Sequence, residues 1–137
     1  MAIRKKIGYR IDPLDLDKRK AIGVRVPFNK KGVFQFNYTT KDQIKSNLIN
    51  LLLTSPGERY HEPSYGVGLR EILFDQNVES SERISTLKAR IDQNIQFHIP
   101  QIELNNLQVT PEDKLLNIKI GYTILLDNDT SEISITL

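Results

Sequence analysis

The sequence predicts an α+β domain: an antiparallel sheet with two long helices packed on one face, preceded by a small hairpin and an extended arm. Three patterns carry this. Ile44, Leu48, Leu51 and Leu52 recur at helical spacing, with Ile49 and Leu53 widening the face. Ile84, Leu87, Ile91, Ile95 and His98 form a second helical stripe. Leu116, Ile118, Ile120, Tyr122, Ile124 and Leu126 alternate strictly, which is the signature of a strand with one buried face. The chain of 137 residues suits one domain, placed at residues 20–137, with residues 1–19 as the arm.

The arm has no clean period. Asp12-Pro13-Leu14-Asp15-Leu16-Asp17 is loop-like, because Pro13 disfavours helix at Asp12. Ile22, Val24, Val26 and Phe28 alternate, Asn29-Lys30-Lys31-Gly32 turns, and Phe34, Phe36 and Tyr38 alternate again, predicting a β-hairpin. Thr40-Lys41-Asp42-Gln43 fits a capping box, so the first helix is expected from about Lys41 to Leu53, ended by Pro56-Gly57. Glu58 to Glu62 reads as a short strand or linker, and Pro63 to Gly68 as a loop whose glycines permit unusual backbone angles. Leu69, Ile72 and Leu73 suit a short helix. Ser80 or Ser81 can cap the second long helix, which Pro100 stops. Ile102, Leu104, Leu107 and Val109 make a strand whose parity shifts at Asn105-Asn106, predicting a bulge. Pro111 to Lys114 and Asp127-Asn128-Asp129 are expected turns, and Ile133, Ile135 and Leu137 the last strand.

Composition excludes several classes of function. Without cysteine there is no disulfide, thiolate metal site or thiol catalysis. No apolar run reaches the length of a membrane-spanning helix, and the charged N-terminus lacks an apolar core, so neither membrane nor secretory signal is expected. The net charge of +2 conceals an asymmetry. Residues 1–45 hold 12 Lys/Arg against 4 Asp/Glu, and residues 46–137 hold 7 against 13. A basic arm on an acidic body fits an acidic partner; a solvated tail gives the same pattern. Arg4, Lys5, Lys6, Arg10, Lys18, Arg19 and Lys20 could meet phosphates. Only Tyr9 interleaves with them, so no stacking platform for a single strand is indicated and nucleic acid is not the expected partner.

No phosphate loop, zinc-helix motif or nucleophile elbow is present, and no cofactor, metal or catalytic residue is expected. His61 and His98 lie on different elements, and His98 closes an apolar stripe. Glycoside hydrolysis needs two carboxyl groups roughly 5–9.5 Å apart. Glu58 and Glu62 in a strand would stand about 13 Å apart. Glu71 and Asp75 at i, i+4 of a helix would be about 6 Å apart, on a short helix with no sign of a saccharide cleft. Ile133 to Leu137 is uncharged and β-prone; as an edge strand it would offer open hydrogen bonds to another chain, and as an inner strand it would not.

The stretch from Leu51 through Phe74 resembles the gpW/gene-25-like family of baseplate wedge proteins in contractile tails and type VI secretion systems. The resemblance runs through Leu52, Thr54, Gly57, Glu58, Arg59, Pro63, Tyr65, Gly66, Leu69 and Phe74, and extends over about residues 20–137. It implies a structural subunit of the virion tail baseplate, assembled in the host cytoplasm, that holds the wedge core with other wedge subunits. It also implies a sheet edge presented to the first ring of tail sheath protein. Ile118, Ile120, Tyr122, Ile133, Ile135 and Leu137 are then the expected sheath-binding strands. The family's Glu-Pro-Arg docking signature falls at Ile99-Pro100-Gln101, keeping the proline and losing both charges. His98, Pro100 and Gln101 are the expected wedge-docking residues. A lysozyme-like peptidoglycan hydrolase and a nucleic-acid adaptor using the basic arm are the alternatives.

Overall fold

The computed structural model describes residue 15 and residues 17–26, 34–75, 80–112 and 115–137. The arm before Asp15, the hairpin turn at Asn29–Gly32 and Phe28 lie outside the described residues. Two short strands, β1 (Gly23–Val24) and β2 (Phe36–Asn37), pair antiparallel and precede helix α1 (Thr40–Leu53). Helix α2 (Leu69–Leu73) and helix α3 (Ser80–His98) follow. Strands β3 (Ile102–Glu112), β4 (Leu115–Ile124) and β5 (Asp129–Thr136) complete the chain as an antiparallel sheet in the order β3-β4-β5.

One core joins helices and sheet. Ile44, Leu48, Ile49, Leu51 and Leu52 of α1 pack with Leu87, Ile91 and Ile95 of α3 and with Ile118, Ile120, Tyr122 and Ile124 of β4. Each fully buried aliphatic side chain contributes roughly 1.5–3 kcal/mol. The helical stripes are narrower than expected: Leu53 is 45% and Ile84 39% exposed, because each lies at the margin of its face. The cap of α1 is Thr39 rather than Thr40. Its hydroxyl oxygen accepts from Asp42 N at 3.2 Å and donates to Asp42 Oδ2 at 2.9 Å. Thr40 instead donates its N–H and hydroxyl to Asp15 Oδ1, at 2.8 and 2.7 Å, which ties the end of the arm to the helix. Ser80 and Ser81 are both inside α3, so neither caps it.

The hairpin inverts the expected amphipathicity. Asn37 is 1% exposed, whereas Phe34, Phe36 and Tyr38 are exposed. The Asn37 amide explains this, because Nδ2 donates to Val24 O, Gln43 Oε1 and Ser46 Oγ at 3.2, 3.0 and 2.8 Å. A buried amide with three acceptors fixes the strand's orientation against α1, and the aromatic parity faces outward.

The sheet follows the sequence closely, including the bulge: the register shifts between Leu104 and Asn106. Two turns are shorter than expected. Pro111 and Glu112 belong to β3, paired with Leu116 and Leu115, and Asp129 opens β5. Leu126 lies in the β4–β5 turn, where Asn128 takes φ 54°. Glu58–Glu62 is neither strand nor straight linker but a folded loop.

Candidate functional site

The loop between α1 and α2 is a hydrogen-bonded junction. Thr54 ends α1, with its N–H and hydroxyl both reaching Asn50 O, at 3.0 and 2.6 Å. Val67 N donates to Leu51 O and Gly68 N to Thr54 O, at 3.1 and 3.0 Å, so the returning chain caps the carbonyls the helix leaves open. Gly66 directly precedes these two donors at φ 115°, where any Cβ would overlap the Thr54 carbonyl. Its N–H donates to Asn94 Oδ1 on α3 at 3.2 Å. Within the outer loop Gly57 N donates to Pro63 O at 2.8 Å, and Glu58 Oε2 accepts from Ser55 N at 2.9 Å. Leu69 is buried, whereas Phe74, the C-cap of α2, is 54% exposed.

The junction and His98, one of the expected docking residues, meet at Tyr65. The Arg59 guanidinium lies 3.7 Å from the Tyr65 ring centre and 3.6 Å from Glu62. Tyr65 also meets His98 edge-on, with ring centres 4.9 Å apart. Burial raises the Tyr65 phenol above its ordinary value, opposed by the Arg59 charge. His98 is half-buried, and Pro100 and Gln101 are exposed beyond it. The Gln101 carbonyl accepts from Leu125 N at 2.8 Å, fastening this turn to the β4–β5 turn.

The expected sheath-binding residues divide into two groups. Ile118, Ile120 and Tyr122 are in β4, the central strand, with its backbone paired on both sides and these side chains at most 1% exposed. They are core residues and form no edge. Ile133 and Ile135 belong to β5, which is an edge strand, and Leu137 directly follows it. Leu116 and Leu137 exchange both backbone bonds at 2.9 Å. By the alternation of an antiparallel ladder, Ile135 and Ile133 then also bond to β4. Thr136, Ser134, Glu132 and Thr130 turn their N–H and C=O groups outward. All four are exposed.

The opposite edge is different in kind. Pro111 faces Leu116, whose N–H is already given to Leu137, so the Pro111 nitrogen points away from the sheet, where a proline is tolerated. That proline and the Asn105 bulge interrupt the free side of β3. β5 carries neither, so it is the regular edge.

The carboxylates weighed as pairs from the sequence lie in the α1–α2 loop and at the end of α2. Glu58 and Glu62 are each engaged within the loop. Helix α2 ends at Leu73, so Asp75 lies beyond it and does not stand at i, i+4 of Glu71 within one helix. Among the described residues no group of His, Asp and Glu could hold a metal ion. His61 is exposed beside Tyr60. Lys18, Arg19 and Lys20 form an exposed basic turn, and the remaining arm cations lie outside the described residues.

Sequence reasoning missed Asn94, Asn37 and Lys41. Asn94 stands three residues after Ile91, within the buried stripe, which was a readable signal. Lys41 was readable too, as a cation in the first turn of a helix, where the dipole disfavours it.

Comparison with known proteins places this geometry in context. No curated protein matches the chain. A structure of a Geobacter sulfurreducens protein bearing the name tail lysozyme is similar, with 20% identity and a TM-score of 0.61 over 72% of this chain and 90% of that one. The sixfold-symmetrised baseplate of the anti-feeding prophage contains a chain similar at 23% identity and a TM-score of 0.57, over 77% of this chain and 82% of that one. At these identities both show the shared fold. The family model described as Baseplate wedge protein gp25 matches residues 39–129, from the cap of α1 to the start of β5, and the chain belongs to that family.

Proposed function

We propose that this protein is a non-catalytic subunit of the tail baseplate wedge, and that β5 nucleates the sheath by accepting a strand from the first ring of sheath protein. Family membership supports the wedge role. The observation that carries the strand mechanism is the difference between the two sheet edges. β3 is interrupted by Pro111 and a bulge, whereas β5 offers the backbone groups of Thr130, Glu132, Ser134 and Thr136 in register. Backbone pairing gives affinity without a side-chain pocket, which suits a surface with little chemistry of its own. The Tyr65–His98 contact, with exposed Pro100 and Gln101, is the surface we assign to the other wedge subunits. A peptidoglycan hydrolase is the less supported reading, because the family whose model matches the chain is described as a baseplate wedge protein.

The test is a pull-down of the cognate sheath protein by wild type, Ser134→Pro and Ile133→Pro. Ser134→Pro removes an outward N–H and leaves the β4 ladder intact, so the protein folds and sheath recovery is lost. Ile133→Pro breaks a ladder bond beside the core and costs about 3 kcal/mol or more. Full sheath recovery by a folded Ser134→Pro protein would overturn the edge-strand mechanism.

A further inference from the structure

Antiparallel pairing sets the side chains of the sheet in cross-strand rows, and the rows facing the core are not equally covered. Next to the β4–β5 turn, Ile102 and Ile124 are paired and buried. Further along, Ile120 and Ile133 are paired and buried as well. In the row beyond, Ile118 is buried, but its neighbours on either side, Val109 and Ile135, are only half-buried. Leu116 and Leu137, in the last row, are half-buried too. Cover therefore runs out toward the start of β4, and on the β5 side it leaves an apolar margin at Ile135 and Leu137.

The start of β5 differs. Ser131, paired with Tyr122, faces the same side and hydrogen-bonds the Tyr122 phenol. The inner face of β5 is thus polar at Ser131 and apolar from Ile133 to Leu137. The outer face carries no apolar side chain. Thr130, Glu132, Ser134 and Thr136 are exposed there, opposite Thr123, Gly121, Lys119 and Asn117 of β4.

A strand added to β5 has no freedom about faces. Its side chains alternate with period two whichever way it runs, so every second residue falls beside Ile133, Ile135 and Leu137, and the others fall beside the polar outer face. Apolar residues at the inward positions take Ile135 and Leu137 out of water, whereas polar ones are desolvated against them without a partner. A slip of one residue exchanges the two sets. Backbone bonds are open to any strand; the apolar margin discriminates among strands.

We propose that the margin at Ile135 and Leu137 selects the sheath strand and fixes its register. β5 accepts an amphipathic segment of the sheath protein, apolar at the alternate positions that cover Ile133, Ile135 and Leu137 and polar where it passes Ser131. This pattern rests on the assignment of β5 to the sheath and adds the sequence character of the partner. The occupant is continuous with that edge, since the strand that takes the outward bonds of Ser134 and Thr136 lays its inward side chains on Ile135 and Leu137.

The test titrates the full-length chain with overlapping synthetic peptides spanning the cognate sheath protein, with sheath pull-down in parallel. A peptide that binds should lose affinity with period two when each position in turn is replaced by Asn, the sensitive positions being apolar. Ile135→Thr, which keeps the branched shape and removes apolar surface, and Leu137→Ser should each weaken binding about fivefold or more. Val109→Thr makes a similar change at the β3 end of the same row, away from β5, and should leave affinity unchanged, as should Lys119→Gln on the outer face. Equal weakening by Val109→Thr and Ile135→Thr would mean that the sheet has merely loosened and would overturn the proposal. So would uniform sensitivity along the peptide, or the absence of any peptide that binds. The Asn scan alters only the peptide, so it decides the question even where a variant of this chain folds poorly. Loss of binding in Ser134→Pro, with wild-type affinity in Ile135→Thr and Leu137→Ser, would sink the selection by side chains alone and leave the edge-strand mechanism standing. Binding that survives Ser134→Pro would overturn both. If the wild-type chain dimerises by itself and Ser134→Pro is monomeric, a second copy occupies the margin and the proposal is overturned.

Discussion

Lys41 Nζ lies 2.9 Å from Asp129 Oδ2 and 3.0 Å from Asp127 Oδ2, so one cation in the first turn of α1 holds both carboxylates of the β4–β5 turn. This clamp links the hairpin-bearing end of the molecule to the root of β5, the strand assigned to sheath binding. The hydrogen bonds to Asp129 and then Asp127 raise the Lys41 pKa above its ordinary value of 10.5.

Lys41→Met should therefore loosen the β4–β5 turn without lowering global stability much. An exposed ion pair contributes little, and removing a cation from a helix N-terminus relieves an unfavourable dipole contact. Amide hydrogen exchange across Leu125–Thr130 should accelerate while the melting temperature stays nearly constant. The sign of the pH effect follows from the raised pKa: the clamp's contribution is complete below pH 10.5 and is lost as pH rises through the higher folded value. Unchanged exchange in the variant would show that the turn holds itself.

The junction makes a sharper claim about backbone. Gly66→Ala places a methyl against the Thr54 carbonyl at φ 115°, and relieving that overlap pulls on the bonds to Thr54 and Asn94. A cost of about 1–3 kcal/mol is expected, a drop of roughly 3–10 °C in Tm. Gly57→Ala also sits at positive φ, at 84°, but meets no atom within 4 Å, so its cost should be about 1 kcal/mol. Equal losses in the two variants would remove the steric argument and leave only backbone preference.

The tyrosines supply a pH prediction. Burial raises the phenols of Tyr122 and Tyr65 above the ordinary 10.0, with the Ser131 hydrogen bond opposing it at Tyr122 and Arg59 at Tyr65. The unfolded chain then loses these protons first. The stabilisation is complete below pH 10 and declines as pH rises through the folded values. Urea denaturation between pH 9 and 11 should show falling stability, and ultraviolet titration should show a late-ionising fraction. A single ionisation step near pH 10 would contradict it.

How far the sequence could be read depended on the kind of force involved. Where one face is buried and the period is two, as in β4, alternation names the core residues directly, and the parity break at Asn105 shows the bulge. The α1 and α3 stripes named Leu48, Leu51, Leu87 and Ile91 correctly but overran at Leu53 and Ile84, since periodicity gives a face and not its width. The β2 strand was misread because the Asn37 amide, held by three acceptors, outweighs three aromatics that the hydrophobic pattern would have buried. Thr39 and Thr40 are adjacent candidates for one cap, and only the Asp15 contact separates their roles. The junction residues were visible through family resemblance, but the bonds joining Gly66, Thr54 and Asn94 connect three segments and have no local signature.

The last prediction concerns the edge the molecule keeps closed. Pro111 stands where its missing N–H faces outward from β3, so it costs the sheet no internal bond and denies one to any neighbouring strand. Pro111→Val should leave the β3–β4 ladder intact and stability within about 1 kcal/mol, since β-branched residues suit a strand. It should also lengthen the free edge that a second copy can pair with. The variant should show concentration-dependent association in light scattering where the wild type shows less. Sheath recovery should not improve, because the sheath contact is assigned to β5 on the other side of β4. If the variant associates no more than wild type, Pro111 is not what protects this edge, and the Asn105 bulge must be sufficient. If it gains sheath binding, the assignment of β5 as the single docking edge fails.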